Sequence, residues 1–282
     1  MGGGYPSYIE FLKNKAKRLL LPYAFVAVVW VIPISQFFNH SSAGDILKQY
    51  VLCINPSQLW FLWMLFWIFT LAWPLWKWLS SSFVKCILVS LVFYVIGLIG
   101  GQIIPNIFCF WTALRYVPFF CMGIQIWMQQ KNVSKLRNQN NECETRLWVE
   151  RVPSIYWILL DFLFFYIYLS SKRGYIPIPG MTIISGFALN IVGAVMSFLV
   201  LQKMAEIAKW KNSKVFTKLS EFSMPMYLFH QQIIYFTITI FNGRVNPCLN
   251  ACFNFLIATV LSMLFSVVLM KFKITRMLVG GR

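Results

Sequence analysis

Apolar stretches of about 20 residues alternate with short polar segments along the whole chain. A stretch of that length is what an α-helix needs to cross the hydrocarbon core of a bilayer. Lipid offers the backbone no hydrogen-bond partner, so each stretch must be helical. We predict an all-α, polytopic integral membrane protein in which a single domain fills residues 1–282. The eight predicted transmembrane helices are Leu19–Phe38, Gln58–Leu79, Val84–Ile104, Ile107–Trp127, Ser154–Ser170, Met181–Gln202, Phe222–Phe241 and Asn250–Met270.

The positively charged residues divide unevenly between the segments that separate these predicted helices. With the N-terminus placed in the cytoplasm, twenty of the 25 Lys and Arg residues fall in segments facing the cytoplasm, and four fall in segments facing outward. Cytoplasmic loops of membrane proteins carry such an excess of Lys and Arg. The charge distribution therefore predicts eight spans with both termini in the cytoplasm.

Composition favours a membrane protein over the other classes. Charged residues make up only 12% of the chain and hydrophobic residues 59%, whereas soluble domains carry about 25% charged residues. The net charge of +17 would suit a nucleic-acid partner, but the cations are spread over short segments between apolar stretches, so we predict the lipid bilayer as partner and no nucleic acid. The seven cysteines form no CxxC pair and the chain has only two histidines, so no metal site is predicted.

Three ionisable residues, Arg115, Asp161 and His230, lie well inside predicted spans. A charge at the centre of a membrane helix costs roughly 2.5–3.5 kcal/mol, so each should face protein or a water-filled cavity. The helical rise places His230 and Asp161 at a similar depth. There they form either an Asp–His pair that orients a basic imidazole or separate polar packing contacts, and they are the candidate catalytic residues. Arg115 forms either a stabilising ion pair or a substrate-binding contact.

Two further patterns each have a structural and a functional interpretation. Residues 8–18 form an amphipathic pattern that predicts a helix on the inner membrane surface. Its four cations would attract either lipid headgroups or the phosphates of a nucleotide-bearing cofactor. Trp60, Trp63 and Trp67 share one helix face, which indicates either helix packing or the wall of a substrate pocket.

Five motifs occur along the chain in one order and at consistent positions relative to the predicted spans. They are Phe11-Leu12-Lys13 through Lys17-Arg18-Leu19-Leu20-Leu21-Pro22-Tyr23, then Leu59-Trp60-Phe61-Leu62, Pro118-Phe119-Phe120-Cys121-Met122-Gly123, Ser223 with Tyr227-Leu228-Phe229-His230, and the basic, glycine-ended segment Lys271–Gly280. Taken together, these motifs resemble those of the acyltransferase-3 family.

The resemblance implies a multi-pass enzyme of the bacterial inner membrane. Such an enzyme transfers an acyl group, commonly acetyl, from acyl-CoA to a hydroxyl of a cell-surface sugar, polysaccharide or lipid-linked sugar. Acyl-CoA would be a co-substrate, with Lys15 and Arg18 contacting its phosphates. Tyr227 and His230 would line the substrate pocket, together with the candidates Arg115 and Trp60. The alternative is a non-enzymatic glycan exporter or flippase component, since intramembrane charges also line transport paths.

The chain departs from the family pattern at its N-terminus. Family members carry two further helices there, the first with an Arg and a His that is taken as the catalytic base. The sequence matches the pattern only after the point at which those helices would end, so it resembles a member without its first two transmembrane helices. Either the chain as written is inactive, or a longer form supplies the base. His230 already matches a different motif and is not expected to replace that base.

Overall fold

The computed structural model describes residues 7–137, 152–207 and 214–281, and the regular elements in these ranges are all helical. The predicted all-α class is therefore confirmed. Two π-helical stretches, Ala27–Val31 and Leu47–Val51, and two 3-10 turns, Ser57–Leu59 and Ile107–Cys109, join α-helices. The α-helices are α1 (Tyr8–Val26), α2 (Ile32–Asn39), α3 (Ala43–Ile46), α4 (Trp60–Ser81), α5 (Phe83–Ile103), α6 (Phe110–Arg137), α7 (Ser154–Lys172), α8 (Met181–Ile207), α9 (Lys214–Phe241), α10 (Pro247–Lys271) and α11 (Lys273–Leu278).

Within the described ranges, seven helical segments are long and apolar enough to cross a membrane. Each corresponds to one of the eight predicted spans, so the protein is a multi-pass membrane protein. The remaining predicted span lies in α9, which is 28 residues long but carries the consecutive polar residues His230, Gln231 and Gln232. That α9 crosses the membrane, and that both termini are cytoplasmic, stay predictions. The seven segments are Tyr8–Phe38, Ser57–Ser81, Phe83–Ile103, Ile107–Asn132, Ile155–Lys172, Met181–Met204 and Pro247–Lys271.

The chain divides into two compact units, one made of residues 1–118 and 214–282 and the other of residues 119–213. In the second unit α7 and α8 pack against each other in antiparallel directions. Asp161 on α7 lies opposite Gly193 on α8, and Tyr168 lies opposite Gly186. Both glycines leave room for the larger side chain that they face. That a single domain fills the chain stays a prediction.

In the first unit, α1, the π-helical stretch and α2 form one continuous helix, which we call the first membrane helix. Residues 8–18 are helical, as predicted, and continue directly into the first membrane helix; their position at the inner membrane surface stays a prediction. Phe11 is fully buried and its ring lies 4.3 Å from that of Trp73 on α4, while the Tyr8 hydroxyl donates to the Thr70 carbonyl at 3.0 Å. These contacts hold the basic end of the helix along α4.

Residues 40–57, here called the returning segment, fold back along the first membrane helix. The Tyr23 hydroxyl donates to the Tyr50 carbonyl oxygen at 2.6 Å and lies 3.0 Å from the Cys53 sulfur. Tyr23 precedes Asn39, the last residue of that helix, by about 24 Å of helical rise. The segment therefore returns from the end of a membrane-length helix to the level of its middle.

The tip of the returning segment contains a cluster of left-handed backbone conformations. Positive φ angles occur at Cys53 (55°) and Asn55 (57°), and also at Phe108 (51°) and Cys109 (55°) in the turn before α6. Each such residue costs about 1–3 kcal/mol and persists only when its surroundings hold it. Here the Phe108 amide donates to the Leu52 carbonyl at 2.9 Å and the Cys109 thiol to the Cys53 carbonyl at 3.3 Å. The two strained turns hold each other in place.

The core of the first unit gathers apolar side chains from the first membrane helix, the returning segment, α4, α9 and α10. The first helix contributes residues at spacings of four and three, as expected for one buried face. Within the returning segment, burial is confined to Tyr50, Cys53 and Pro56, which anchor the segment to the neighbouring helices. Buried members of the core include Leu19, Tyr23, Val26, Val31, Tyr50, Leu59, Leu62, Leu228, Ile233, Ala258 and Val279.

We predict that Gly97→Ala lowers the free energy of unfolding by about 1–3 kcal/mol, the range for overpacked sites. A Cβ atom at Gly97 on α5 would lie 2.9 Å from both the Leu114 Cβ and the Trp111 carbonyl oxygen on α6, too close without separating the helices. Thermal unfolding in detergent measures the change. The matched control is Gly101→Ala on the same helix, whose Cβ would meet Trp111 at an ordinary 3.5 Å. Equal loss in both variants would contradict the close contact at Gly97.

We predict that Tyr23→Phe destabilises the protein by about 1–3 kcal/mol, because the buried Tyr50 carbonyl loses a hydrogen-bond donor. The same variant should increase the rate at which a thiol reagent labels Cys53, as measured by peptide mass spectrometry. Tyr166→Phe is the control, because Tyr166 is 69% exposed in the second unit. Unchanged Cys53 labelling in Tyr23→Phe would show that Tyr23 does not hold the returning segment.

Candidate functional site

Two glutamine side chains form a buried pair between the start of α4 and the middle of α9. Gln58 and Gln232 are 4% and 1% exposed. The Gln232 amide donates to the Gln58 side-chain oxygen at 3.0 Å, and the Gln58 amide donates in return to Gln232. A buried amide without such a partner would lose several kcal/mol in hydrocarbon. The pair therefore sets the register between the returning segment, α4 and α9.

Tyr227 and His230 extend this polar group along α9. The Tyr227 hydroxyl donates to the backbone carbonyl of Gln58. The His230 ring places Nδ1 2.7 Å from the Tyr227 carbonyl oxygen. A carbonyl only accepts hydrogen bonds, so Nδ1 carries the proton and Nε2 of the neutral ring is an acceptor. The contacts thus select the imidazole tautomer that can accept a proton or a hydrogen bond from a substrate.

A cavity of about 360 Å³ lies within the first unit. Its walls are the second half of the first membrane helix, the returning segment and the last turns of α9. Gln232 contributes to the lining, so one member of the buried glutamine pair faces a ligand-sized space. Tyr50 and Ser35 also line the cavity. None of Trp60, Arg115, Tyr227 and His230 lines this cavity, so their assignment to a substrate pocket stays a prediction.

Burial controls the titration of the two reactive groups at the tip of the returning segment. Burial raises the pKa of Tyr50. Burial likewise raises the pKa of the Cys53 thiol, against the opposing hydrogen bond from the Tyr23 hydroxyl. Both groups therefore stay protonated at neutral pH, and the Tyr50 hydroxyl presents a neutral donor to the cavity.

The basic end of the first membrane helix forms a second group of predicted residues. The Lys15 ammonium lies 4.0 Å from the centre of the Phe69 ring, at the distance of a cation–π contact. Gly280 has a left-handed φ of 76°, and a Cβ there would lie 3.2 Å from the Arg18 carbonyl oxygen. The structure thus brings the glycine-ended segment against the basic motif. Contact of Lys15 and Arg18 with CoA phosphates stays a prediction.

Arg115 and Trp60 lie in two other environments of the first unit. The Arg115 Nη2 donates to the Thr112 hydroxyl at 3.4 Å, while its Nε is buried with no hydrogen-bond partner among the described residues. The predicted ion pair is not found among the contacts of this side chain. The Trp60 ring lies 5.3 Å from that of Tyr116, which is the helix-packing alternative for this tryptophan.

Asp161 lies in the second unit, on the face of α7 that packs against α8. His230 lies in the first unit, so the proposed Asp161–His230 pair and the catalytic role of either residue stay predictions. Among the described residues, no group of His, Cys, Asp or Glu side chains is arranged to hold a metal ion.

Sequence analysis overlooked Gln58, Gln232 and the lining residues of the returning segment. A signal for the two glutamines was present, since an amide inside an apolar span needs a partner on another helix. Gln58 directly precedes the Leu59-Trp60-Phe61-Leu62 motif and Gln232 follows His230 by two positions. Residues 40–57 carried a local signal, since Ser42 and Asp45 form a capping box before a largely apolar stretch, but that signal predicts a short helix and not the path on which it returns.

Comparison with known proteins bears on the whole chain. A family model described as an acyltransferase domain, that of the acyltransferase-3 family, matches residues 1–271. Searches of curated proteins and of solved structures found no match. The matched residues include four of the five motifs and the first residue, Lys271, of the fifth, and they cover the whole second unit and most of the first. The chain therefore belongs to the acyltransferase-3 family and is a multi-pass membrane acyltransferase.

Proposed function

We propose that this protein transfers an acyl group, most simply acetyl, from acyl-CoA to a hydroxyl of a cell-surface sugar, polysaccharide or lipid-linked sugar. His230 supplies the main support, because its Nδ1 is bonded to the Tyr227 carbonyl and its Nε2 is an acceptor in the neutral ring. An acceptor nitrogen of that kind suits a reaction in which a hydroxyl must lose its proton.

The reaction needs one proton acceptor and one anion-stabilising group. The acceptor hydroxyl oxygen attacks the thioester carbonyl carbon, the bond from that carbon to sulfur breaks, and the hydroxyl proton passes to a base. The CoA sulfur leaves as a thiolate and takes up a proton. In this proposal, contrary to the expectation from the motif pattern, His230 receives the proton or hydrogen-bonds the hydroxyl, and the Tyr227 carbonyl stabilises the imidazolium through Nδ1–H.

The donor is assigned to the basic end of the first membrane helix. Lys15 and Arg18 supply positive charge for the CoA phosphates, since charge-assisted contacts to phosphate are among the stronger hydrogen bonds. The C-terminal segment packs beside Arg18 and adds Arg276, whose Nε and Nη2 donate to the Met270 carbonyl. With the predicted topology, the donor is bound at the cytoplasmic side of a bacterial inner membrane.

The proposal is tested in the cells that make the protein by measuring ester-linked acyl groups on their surface glycans. Deletion of the gene should remove an acyl group without changing the amount of glycan. Loss of surface glycan with unchanged acylation of what remains would instead favour the exporter or flippase alternative. No change in either quantity would favour an inactive family member.

We predict that His230→Ala reduces acyl transfer by about 10²–10⁴-fold if the ring accepts the proton. His230→Gln separates the two roles, because the glutamine amide accepts a hydrogen bond but is not basic. Equal loss of acyl-transfer activity in both variants would show that His230 accepts the proton. Activity that is retained in His230→Gln but lost in His230→Ala would show that His230 only hydrogen-bonds the hydroxyl. The control is His40→Asn, since His40 is exposed with a left-handed φ of 47° that asparagine tolerates. Full activity in both His230 variants would remove His230 from the site.

We predict that Arg18→Ala raises the KM for acyl-CoA by about tenfold, corresponding to roughly 1.4 kcal/mol for one contact to a charged group, with a smaller change in kcat. Membrane vesicles with radiolabelled acetyl-CoA give both constants, and the effect should weaken at high salt. Lys48→Ala is the matched control, because Lys48 is exposed in the returning segment. An unchanged KM in Arg18→Ala, at normal expression, would contradict the assignment of the donor to this end.

A further inference from the structure

The cavity in the first unit carries no charge on its lining. Its polar lining consists of hydroxyl and amide groups only, and its remaining lining is apolar. The apolar part is formed by Val31, Ile34, Phe38 and Ile238. The lining therefore offers uncharged hydrogen-bond donors and acceptors beside an apolar surface. Such a lining matches a ligand whose hydroxyl groups project from a ring with apolar C–H faces.

The polar lining groups are held in place by contacts outside the cavity. Gln232 is 1% exposed and its amide is fixed by Gln58. The Tyr235 hydroxyl accepts from the Gln231 amide at 2.8 Å, which leaves its own proton to donate to a ligand. Tyr50 is 5% exposed, and its backbone carbonyl accepts from the Tyr23 hydroxyl at 2.6 Å. A site with preset donors and acceptors loses little freedom on binding.

The uncharged lining disfavours the nucleotide part of the acyl donor in this cavity. The nucleotide of CoA carries phosphates, and a phosphate moved from water to a buried site without a cation is strongly disfavoured. The charged residues of the returning segment, Asp45 and Lys48, are exposed and do not line the cavity. Lys15 and Arg18 lie near the other end of the first membrane helix. The helical rise from Arg18 to Ile34, which lines the cavity, is about 24 Å.

Size also limits the ligand. A volume of about 360 Å³ is at the lower end of the range for small-molecule sites, roughly 300–1,000 Å³. One or two sugar rings fit that space, whereas a polysaccharide chain fits only by placing a short part of itself there.

We propose that this cavity is a recognition site for an uncharged, hydroxyl-rich group of one or two sugar rings. The assignment of that group to the acyl acceptor rests on the proposed function, whereas its binding does not. The cavity recognises a part of the acceptor distinct from the reacting hydroxyl at His230, because residues two positions apart, such as His230 and Gln232, do not share a helix face.

Binding is tested on the full chain in detergent or nanodiscs by saturation-transfer NMR. The probes are the methyl glycosides of glucose, galactose, mannose and N-acetylglucosamine, with the matching uronic acids as anionic analogues. At least one neutral glycoside should bind with a dissociation constant on the order of 1–10 mM, and its uronic acid at least about tenfold more weakly. Binding of no neutral glycoside, or equal binding of the anionic analogues, would overturn the proposal.

Two variants tie the binding to this cavity. Ser35→Leu fills the space from the first membrane helix and should abolish binding, and Gln49→Arg adds a cation to the lining and should shift preference toward the uronic acid. Lys48→Gln, next to Gln49 but outside the lining, should change neither result. Thermal unfolding verifies that each variant folds. Binding that persists in a folded Ser35→Leu protein would place the ligand elsewhere.

The same variants separate this proposal from the proposed function. If deletion of the gene removes glycan acyl groups and Ser35→Leu does not, the enzyme assignment stands and the cavity proposal fails. If neutral glycosides bind in a Ser35-dependent way while deletion leaves acylation unchanged, the cavity proposal stands and the acyl-transfer proposal fails.

Discussion

Backbone hydrogen bonding at the tip of the returning segment is the constraint on which the first unit depends. Irregular backbone at membrane depth survives only where protein supplies the partners that water would otherwise provide. Three nearby carbonyls receive such partners from three different donors: Tyr50 from the Tyr23 hydroxyl, Leu52 from the Phe108 amide and Cys53 from the Cys109 thiol. Those donors lie on the first membrane helix and in the turn before α6. The segment can therefore leave regular helical geometry at this level without exposing an unsatisfied group.

The other features of the site follow from that placement. Because the segment ends at the level of the middle of the first helix, α4 begins there, and Gln58 meets Gln232 and Tyr227 on α9. Tyr227 in turn fixes the His230 tautomer through its backbone carbonyl. The space left between the segment, the first helix and α9 is the neutral cavity. One polar arrangement thus positions a candidate base and shapes a candidate binding site on different faces of the same helix.

Charge separates the two ends of the first membrane helix. Its beginning carries four cations, of which Lys15 lies on an aromatic ring and Arg18 lies beside the C-terminal segment. Its far half contributes only neutral groups to the cavity. A phosphate-bearing donor and an uncharged hydroxylic acceptor are chemically suited to opposite ends of this arrangement. An acyltransferase that takes its two substrates from opposite sides of a membrane needs that division, which is why the neutral lining carries as much functional information as the cationic motif.

The sequence by itself determined the all-α class and, through five short motifs, the family, and it predicted eight membrane helices of which seven are confirmed, because hydropathy and motif order are local properties of the chain. It did not determine that residues 8–18 continue the first helix along α4, since that depends on the packing of Phe11 against Trp73. Nor did it reveal the returning segment or the Gln58–Gln232 pair, whose members are 174 residues apart. A short capped helix followed by a turn is compatible with many paths. Only the tertiary structure decides which path gives the carbonyls of Tyr50, Leu52 and Cys53 and the two glutamine amides a partner.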